Sequence, residues 1–259
     1  MLEARKSLGQ HFLKEESIAR RIVDDFSALH RGGSVLEIGP GPGVLTGKLL
    51  ERFGESFYAC ELDQRMVTHL HKRFPTWNRR LLLEDFLNFD WNVLPQGNVS
   101  VIGNFPYNIS TEIVFRILDN RERVPVFAGM FQKEVAKRFA SVHGNKEYGI
   151  TSVLLQAWYD VQYLFDVPPE AFAPPPKVQS GVIACTSHNN KYNVQSGVHL
   201  KRLVKAGFNQ RRKTLRNALS GLNLPQEMRD DDVMSKRAEQ LSVARFVELS
   251  NQWHASLEG

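Results

Sequence analysis

The chain of 259 residues, with 42% hydrophobic and 24% charged side chains, has an ordinary globular composition. That composition excludes disordered and fibrous proteins, and the length corresponds to one or two domains. Cys60 and Cys185 are too few for a disulfide framework and form no CxxC zinc pair, so we expect no metal site and a reducing, cytoplasmic setting. The charged N-terminus does not resemble a signal peptide, and no apolar run reaches the ~18 residues of a membrane span, so we expect no membrane association.

The net charge of +5 arises from one short stretch, because the rest of the chain is slightly acidic. Residues 201–216 contain seven basic side chains and no acidic one: Lys201, Arg202, Lys205, Arg211, Arg212, Lys213 and Arg216. A localised positive charge of this kind is typical of proteins that bind a polyanion. A solvated helix face is the alternative that composition alone leaves open.

Short apolar runs alternate with helical patterns over the first two-thirds of the chain. We predict strands over 34–38, 57–60, 81–83, 99–102 and 126–131, and helices over 44–52, 65–74, 113–118 and 133–140. This alternation indicates an α/β fold with a parallel sheet covered on both faces. Two further strands, 161–165 and 178–184, are joined by a proline-rich link without a helix, which predicts an antiparallel pair closing one edge of the sheet.

A domain boundary is predicted near residue 187. The polar segment 187–191 is typical of a linker, and every later segment has helical periodicity, over 200–208, 212–220 and 243–254. We therefore expect one domain over 1–187 and a smaller, all-helical domain over 188–259.

The segment LEIGPGPGVLT at 36–46 places three glycines between a predicted strand and a predicted helix: Gly39, Gly41 and Gly43. Glycine permits a sharp turn and lets a ligand approach the backbone closely. The dinucleotide fingerprint would need a further glycine where Val44 stands, and the two intervening prolines lack the N–H groups that hold a pyrophosphate. A nucleoside ligand without phosphates, such as S-adenosylmethionine, fits this loop better, although a simple tight turn is the alternative.

Acidic residues follow the next two predicted strands. Glu61 comes about 20 residues after the first loop glycine, where a carboxylate accepts hydrogen bonds from ribose hydroxyls in nucleotide-binding folds. Asp85 follows the third strand and is placed to accept a bond from an adenine amino group. Each acid alone is a plausible surface carboxylate, but ligands bind at the carboxyl ends of strands in open α/β sheets.

The segment GNFPYNIS at 103–110 follows the fourth predicted strand. The side-chain carbonyl of Asn104 and the main-chain carbonyl of Pro106 are suited to accept the two N–H groups of an adenine amine and to aim its lone pair. Tyr107 is suited to stack on the base. Such chemistry rests on positioning and needs no metal, general base or covalent nucleophile. An ordinary strand-to-helix turn is the alternative.

Five segments, in this order, resemble signatures of the KsgA-type rRNA adenine dimethyltransferases: KSLGQHFL at 6–13, GNFPYNIS at 103–110, FQKEVAKRF at 131–139, FAPPPKVQS at 172–180 and FNQRRKT at 208–214. The resemblance implies a Rossmann-like methyltransferase sheet, mostly parallel with an antiparallel edge strand, and a helical RNA-binding domain over 188–259. It also implies dimethylation of N6 of two adjacent adenosines in the 3′-terminal hairpin loop of small-subunit rRNA, within a pre-ribosomal particle. We expect a monomer.

The resemblance also implies roles for individual residues. Contacts to S-adenosylmethionine are implied at His11, Leu13, Gly39, Glu61, Asp85 and Asn104, and contacts to the target base at Asn104, Pro106, Tyr107 and Phe172. The basic residues Arg211, Arg212 and Lys213, at the start of a C-terminal basic helix, are expected to bind RNA phosphates. His11 stands where many relatives carry asparagine, a difference that weakens a contact through the side chain but not one through the main chain, and both remain open. Core packing is the alternative for Phe172, and Glu37, inside the first strand, is expected to orient loop amides or to be purely structural.

Other classes of function agree less well with the sequence. An NAD(P) oxidoreductase conflicts with the loop prolines and the missing glycine. A non-catalytic RNA-binding assembly factor predicts decay of the segment at 104–107, which is intact. The large-subunit rRNA methyltransferases of the antibiotic-resistance type share the fold, and the FAPPPKVQS and FNQRRKT segments favour the small-subunit enzyme over them.

Overall fold

The computed structural model describes residue 5 and residues 9–258, without the side chains of Asn78 and Glu258. Residues 6–8 of the KSLGQHFL segment lie outside the described residues. The strands are β1 (Phe12–Leu13), β2 (Ser34–Ile38), β3 (Phe57–Glu61), β4 (Leu81–Leu83), β5 (Val99–Asn104), β6 (Val126–Gln132), β7 (Tyr159–Val167), β8 (Phe172–Ala173) and β9 (Ser180–Ser187).

The α-helices are α1 (Glu16–Leu29), α2 (Val44–Phe53), α3 (Gln64–Arg73), α4 (Ser110–Asp119), α5 (Lys133–Ala140), α6 (Ile150–Gln156), α7 (Gly197–Asn209), α8 (Leu215–Ala218), α9 (Gln226–Arg229) and α10 (Val243–Glu258). The predicted strands and the helices between them are present, with bounds that differ by a few residues. Within the described residues, no helix is both long enough and apolar enough to cross a bilayer.

Seven strands form the main sheet, in the order β4-β3-β2-β5-β6-β9-β7. The pairs β4–β3, β3–β2, β2–β5 and β5–β6 are parallel. The carboxyl ends of these parallel strands therefore lie together at one end of the sheet, and the loops that follow the strands meet there. This arrangement confirms the predicted Rossmann-like, mostly parallel sheet.

Strand β9 pairs with β6 in antiparallel orientation, with Gln132 opposite Ser180. Strand β7 lies outside β9 and forms the edge. The two strands predicted to close one edge of the sheet, β7 and β9, therefore occupy that edge, and β9 is antiparallel to β6. Burial matches the order of the two: β9 is buried on both faces over 180–185, as an interior strand must be, while most of β7 is partly or fully exposed.

A second, two-stranded antiparallel sheet joins β1 to β8, with Phe12 opposite Ala173 and Leu13 opposite Phe172. This pairing was not predicted from the sequence, because two residues are too few to show the alternation of a strand. The pairing ties the N-terminal segment to the proline-rich link between β7 and β9.

The predicted helix over 212–220 is wrong in its first half. The chain leaves helical geometry at Gln210 (φ −115°, ψ 53°), and the N–H of Lys213 donates to the Gln210 carbonyl at 2.7 Å in a turn. Only α8 is α-helical in this segment. The turn reverses the chain so that Leu215 packs against Gly207 of α7, where an added Cβ would lie 3.3 Å from the leucine. A continuous helix would carry Leu215 away from this contact.

The chain divides into two compact units, one of residues 1–136 and 162–187 and the other of residues 137–161 and 188–259. The predicted division at 187 differs from this one over residues 137–161, which group with the C-terminal residues. Two hydrogen bonds contribute to this grouping: the N–H of Gly144 donates to the Glu239 carbonyl at 2.7 Å, and the guanidinium of Arg211 donates to the Lys146 carbonyl.

Candidate active site

A cavity of about 240 Å³ opens at the carboxyl ends of β2, β3, β4 and β5 and is bordered by the N-terminal segment 9–13. It is lined by nearly all site residues predicted in the first unit: His11, Leu13, Gly39, Glu61, Asp85, Asn104, Pro106 and Tyr107. Residues that are far apart in the chain therefore converge on one space, as the strand order requires. Phe172 is the predicted residue of this unit that does not line the cavity.

The glycine loop after β2 needs its glycines for conformation. Gly39, Gly41 and Gly43 have φ of 65°, 53° and 88°, in the left-handed region that other residues adopt at a cost. A Cβ added at Gly39 would meet no atom within 4 Å, so this position of the cavity-lining loop borders open space. The loop thus provides bare backbone along the wall where a ligand would lie.

Glu61, at the end of β3, is buried and holds two main-chain groups. Its Oε2 accepts from the N–H of Gly41 at 3.1 Å, and its Oε1 accepts from the N–H of Asp63 at 2.8 Å. Burial raises the pKa of this carboxyl. A carboxylate has about four acceptor positions, so these bonds are compatible with acceptance from ribose hydroxyls. The same side chain that was predicted to bind ribose therefore also shapes the glycine loop.

Asp63 links this network to the N-terminal segment. Its carboxylate accepts from Gln10 Nε2 at 3.1 Å and forms two bonds with the guanidinium of Arg65, at 3.0 and 2.5 Å. The hydrogen bond from Arg65 lowers the pKa of Asp63 to about 2. Asp63 was not predicted as a site residue, although its place two residues after Glu61, directly before a helix, is a signal for a helix cap.

Asp85 follows β4 and lines the cavity. Its Oδ1 accepts from the N–H of Leu87 at 3.0 Å and its Oδ2 accepts from Asn88 Nδ2 at 2.9 Å. The carboxylate is thereby held in place at the end of its strand, and the structure brings it to the same cavity as Glu61.

Glu37 is a buried carboxyl in the cavity wall. It is 1% exposed, and its Oε2 accepts from the hydroxyl of Thr46 at 2.7 Å in the first turn of α2. Burial raises its pKa to about 8, and the nearby Glu61 charge adds to the effect. Of the two roles that the sequence left open, the observed contact is with the helix after the glycine loop and not with a loop amide.

Asn104 ends β5, and its side-chain amide is oriented by the N-terminal segment. Asn104 Nδ2 donates to the main-chain carbonyl of His11 at 2.9 Å, which directs the nitrogen to His11 and distinguishes it from the acceptor oxygen. The carbonyl of Pro106 accepts from the N–H of Ile109 at 3.2 Å and retains a second lone pair. Both acceptors that were predicted to hold an amine therefore lie in one ordered turn.

Phe105, which was given no role from the sequence, anchors this turn. Its ring is 1% exposed and lies edge-on to Phe131, with ring centres 5.2 Å apart. A Cβ at Gly103 or Gly129 would come within 2.6 or 2.3 Å of the ring. Two glycines on adjacent strands thus make the space for Phe105, which ties the turn between Asn104 and Pro106 to the core. The paired glycines at 103 and 129 were the available signal.

Tyr107 is half-buried and lines the cavity. Its hydroxyl lies 2.5 Å from the Oγ of Ser180, and its ring stacks on that of His11 with centres 5.5 Å apart and planes inclined by 29°. His11 is itself fixed, because its Nδ1 lies 2.9 Å from the Pro174 carbonyl. Both the side chain and the main chain of His11 therefore contribute to the site.

Phe172 lies in the hydrophobic core. It is 2% exposed and pairs with Leu13 between β8 and β1. Its position matches core packing, which was the alternative, and contact with the target base stays a prediction. Its ring does not line the cavity.

The predicted RNA-binding residues Arg211, Arg212 and Lys213 belong to the second unit and are exposed. They lie in the turn between α7 and α8 and not in a helix, which corrects the expectation of a basic helix. Arg211 donates to the Lys146 carbonyl. In the part of the chain that the structure describes, no three His, Cys, Asp or Glu side chains are grouped so as to hold a metal ion.

Comparison with known proteins identifies the family. The family model of the ribosomal RNA adenine dimethylases matches residues 1–254. The chain is 49% identical over 250 residues to the Ribosomal RNA small subunit methyltransferase A of Cytophaga hutchinsonii, covering 96% of this chain and 97% of that protein. It is 49% identical over 253 residues to the protein of the same name from Porphyromonas gingivalis, with coverages of 96% and 97%.

Solved structures share the fold. A dimethyladenosine transferase from Plasmodium falciparum superposes with a TM-score of 0.81 at 24% identity, covering 95% of this chain and 98% of that one. The 23S rRNA methyltransferase ErmE superposes with a TM-score of 0.69 at 22% identity, with coverages of 93% and 100%.

The predicted methyltransferase class, with S-adenosylmethionine as methyl donor, is confirmed by these matches, and the oxidoreductase alternative is excluded. The match extends from the N-terminal segment to α10, so it includes both units and all the residues of the cavity. The chain belongs to the ribosomal RNA adenine dimethylase family.

Proposed function

We propose that this protein dimethylates N6 of two adjacent adenosines in the 3′-terminal hairpin loop of small-subunit rRNA, acting as a monomer on a pre-ribosomal particle in the cytoplasm. The choice of the small subunit is supported by the names of relatives that match nearly the whole chain. The observation that carries the chemistry is that the turn holding Asn104 and Tyr107 opens into the same cavity as Gly39 and Glu61.

The donor side of the cavity suits S-adenosylmethionine. Gly39 borders open space, and the carboxylates of Glu61 and Asp85 lie at neighbouring strand ends. These groups match a ligand with an adenine, a ribose and no phosphate, because carboxylates accept hydrogen bonds from hydroxyl and amino groups and repel phosphate. When bound, the sulfonium compound supplies an activated methyl group.

The acceptor side suits the amine of an adenine that has left its base stack. The side-chain oxygen of Asn104 and the carbonyl of Pro106 accept its N–H groups, and Tyr107 stacks on the ring. Held in this way, the nitrogen lone pair forms the new N–C bond as the C–S bond breaks, and the amine proton leaves to solvent. Positioning of the two reactants supplies much of the rate.

RNA binding is assigned to the exposed basic residues of the second unit. Arg211, Arg212 and Lys213 form a short cationic turn suited to phosphate oxygens, which fix register without reading sequence. Further exposed basic residues lie along α7 on the same unit, at Lys201, Arg202 and Lys205.

Incubation with isotopically labelled S-adenosylmethionine and undermethylated small subunits, followed by mass mapping of the modified nucleosides, tests the proposal. We expect two adjacent dimethyladenosines in the terminal hairpin loop and none with the Asn104→Ala variant. Large subunits serve as the control substrate. Methylation of the large subunit in preference to the small one, or a monomethylated product at another position, would contradict the assignment.

A further inference from the structure

A buried hydroxyl that the chemistry above does not use lies beside Tyr107. Ser180 is 0% exposed, and its Oγ is 2.5 Å from the Tyr107 hydroxyl. It is the last residue of the FAPPPKVQS segment and the first residue of β9. A buried hydroxyl that bonds to a cavity-lining side chain can transmit its own rigidity to that side chain.

Ser180 is held more firmly than Tyr107. Its strand lies between β6 and β7, and Ser180 pairs with Gln132 of β6. The next residue, Gly181, is packed so closely that a Cβ there would lie 2.5 Å from the Tyr163 hydroxyl. Tyr107, in contrast, lies in the turn between β5 and α4 and is only half-buried.

Two contacts together define the orientation of the Tyr107 ring. The bond to Ser180 fixes the hydroxyl end, and the stacked ring of His11 limits rotation about the long axis of the phenol. Tyrosine has two side-chain torsions before the hydroxyl. One restraint at the hydroxyl and one on the face of the ring are therefore sufficient to fix the orientation of the ring plane.

We propose that Ser180 is a positioning residue for methyl transfer, which fixes the plane of the Tyr107 ring on which the target adenine stacks. The inference rests on the proposed function, because it needs Tyr107 to contact the base. A ring that is already oriented need not be ordered when the base arrives, so loss of the hydroxyl should slow the transfer step rather than weaken binding of the methyl donor.

The test measures kcat and KM for the donor and for small subunits with four variants: Ser180→Ala, Tyr107→Phe, the double variant and Ser180→Thr. We expect each single loss of the hydrogen bond to lower kcat about fivefold. The double variant should be no worse than the more impaired single one, because both remove the same bond. Ser180→Thr keeps the hydroxyl and should retain kcat within about twofold, and KM for the donor should stay unchanged in all four.

Ser100→Ala is the matched control. Ser100 is also 0% exposed and its Oγ lies 2.9 Å from His30 Nδ1, but it does not line the cavity. Its loss should lower thermal stability and leave kcat near that of the wild type. The role of Ser180 is refuted by an unchanged kcat in Tyr107→Phe, which leaves the buried strand intact, by multiplicative losses in the double variant, or by an equal kcat loss in Ser100→Ala. A wild-type protein that transfers no methyl group refutes the proposed function instead.

Discussion

The side-chain amide of Asn104 donates a 2.9 Å hydrogen bond to the main-chain carbonyl of His11, which lies 93 residues earlier in the chain. The N-terminal segment, which borders one side of the cavity, thus orients the side chain of Asn104. This is the side chain predicted to hold the substrate amine. Because the bond uses the main chain of His11, the departure from asparagine at this position does not remove it.

Asn104→Ala should abolish methyl transfer while the dissociation constant for S-adenosylmethionine stays within a few-fold of the wild type. The reason is that the main role expected of this side chain is to aim the amine, while the other expected donor contacts, such as Glu61 and Asp85, stay in place. Calorimetric titration with S-adenosylmethionine measures the dissociation constant, and the labelled-methyl assay measures methyl transfer. Asn92→Ala, at an exposed asparagine outside the cavity lining, should leave both values unchanged. Wild-type turnover in Asn104→Ala would remove this residue from the chemistry.

Gly39→Ala should weaken donor binding at least tenfold. An alanine there adopts an unfavourable φ of 65° and places its methyl group in the open space of the cavity wall. Gly32→Ala is the matched control, because Gly32 also has a positive φ (80°) and open space around a Cβ but does not line the cavity. Both variants should lose about 1 kcal/mol of stability from backbone strain, and only the first should lose donor affinity. Equal donor affinities would show that the donor lies elsewhere.

Gly129→Ala should displace the ring of Phe105 and so misalign the turn that holds Asn104. A Cβ at Gly129 would lie 2.3 Å from the ring, which must shift at a cost of about 1–3 kcal/mol. We expect a lower melting temperature and a lower kcat. Adding Phe105→Leu, a smaller side chain, should restore part of both quantities. Wild-type kcat in Gly129→Ala would mean that the turn does not depend on this contact.

Stability should fall as the pH rises toward 8 because of Glu37. Burial raises the pKa of this carboxyl to about 8 in the folded protein, whereas its usual value is near 4.5. The folded state therefore binds the proton more tightly, and this contribution is fully present below pH 4.5 and lost as the pH passes through 8. The loss is about 1.4 kcal/mol per pH unit at most.

Glu37→Gln removes this titration, so its free energy of unfolding should vary less between pH 5 and 8 than that of the wild type. Denaturant unfolding at several pH values measures the difference. Glu122→Gln, at an exposed carboxyl, should behave as the wild type does. Parallel curves for wild type and Glu37→Gln would show that Glu37 is ionised in the folded protein.

Asp63 affects stability in the opposite sense. Its pKa is lowered to about 2, so its contribution to the free energy of unfolding is lost only as the pH falls toward that value.

Arg212→Gln combined with Lys213→Gln should weaken RNA binding and flatten its dependence on salt. Each lost phosphate contact lowers the slope of log Kd against log salt concentration by about 0.7–0.9. Arg211 is left in place because it also holds the Lys146 carbonyl. Lys72→Gln with Arg79→Gln makes the same charge change on exposed residues of the first unit. A slope that changes equally in both double variants would indicate net charge and not a binding turn.

The strands and the cavity residues were predictable because parallel strands carry a strong local signal. Continuous apolar runs, such as Ser34–Ile38, identify buried strands, and the residues after them must meet at one edge of the sheet. Local patterns therefore determined a shared site for Gly39, Glu61, Asp85 and Asn104.

The remaining features depend on contacts between distant residues, which local patterns do not contain. The position of Phe172 follows from its pairing with Leu13, and the break before α8 follows from the packing of Leu215 on Gly207. The sequence over 212–220 predicts a helix across the observed turn, because basic residues are good helix formers. Burial of Leu215 outweighed that preference.

The pairing of β1 with β8 has a consequence for synthesis of the chain. His11 and its partner Pro174 are separated by 163 residues, so one border of the cavity is made first and its support is made much later. At ribosomal rates of about 5–20 residues per second, on the order of ten seconds pass between the synthesis of β1 and that of its partner strand β8. A nascent chain that ends before Phe172 carries the glycine loop and the turn at 104–107, yet it lacks β8, the strand that pairs with β1 at this border.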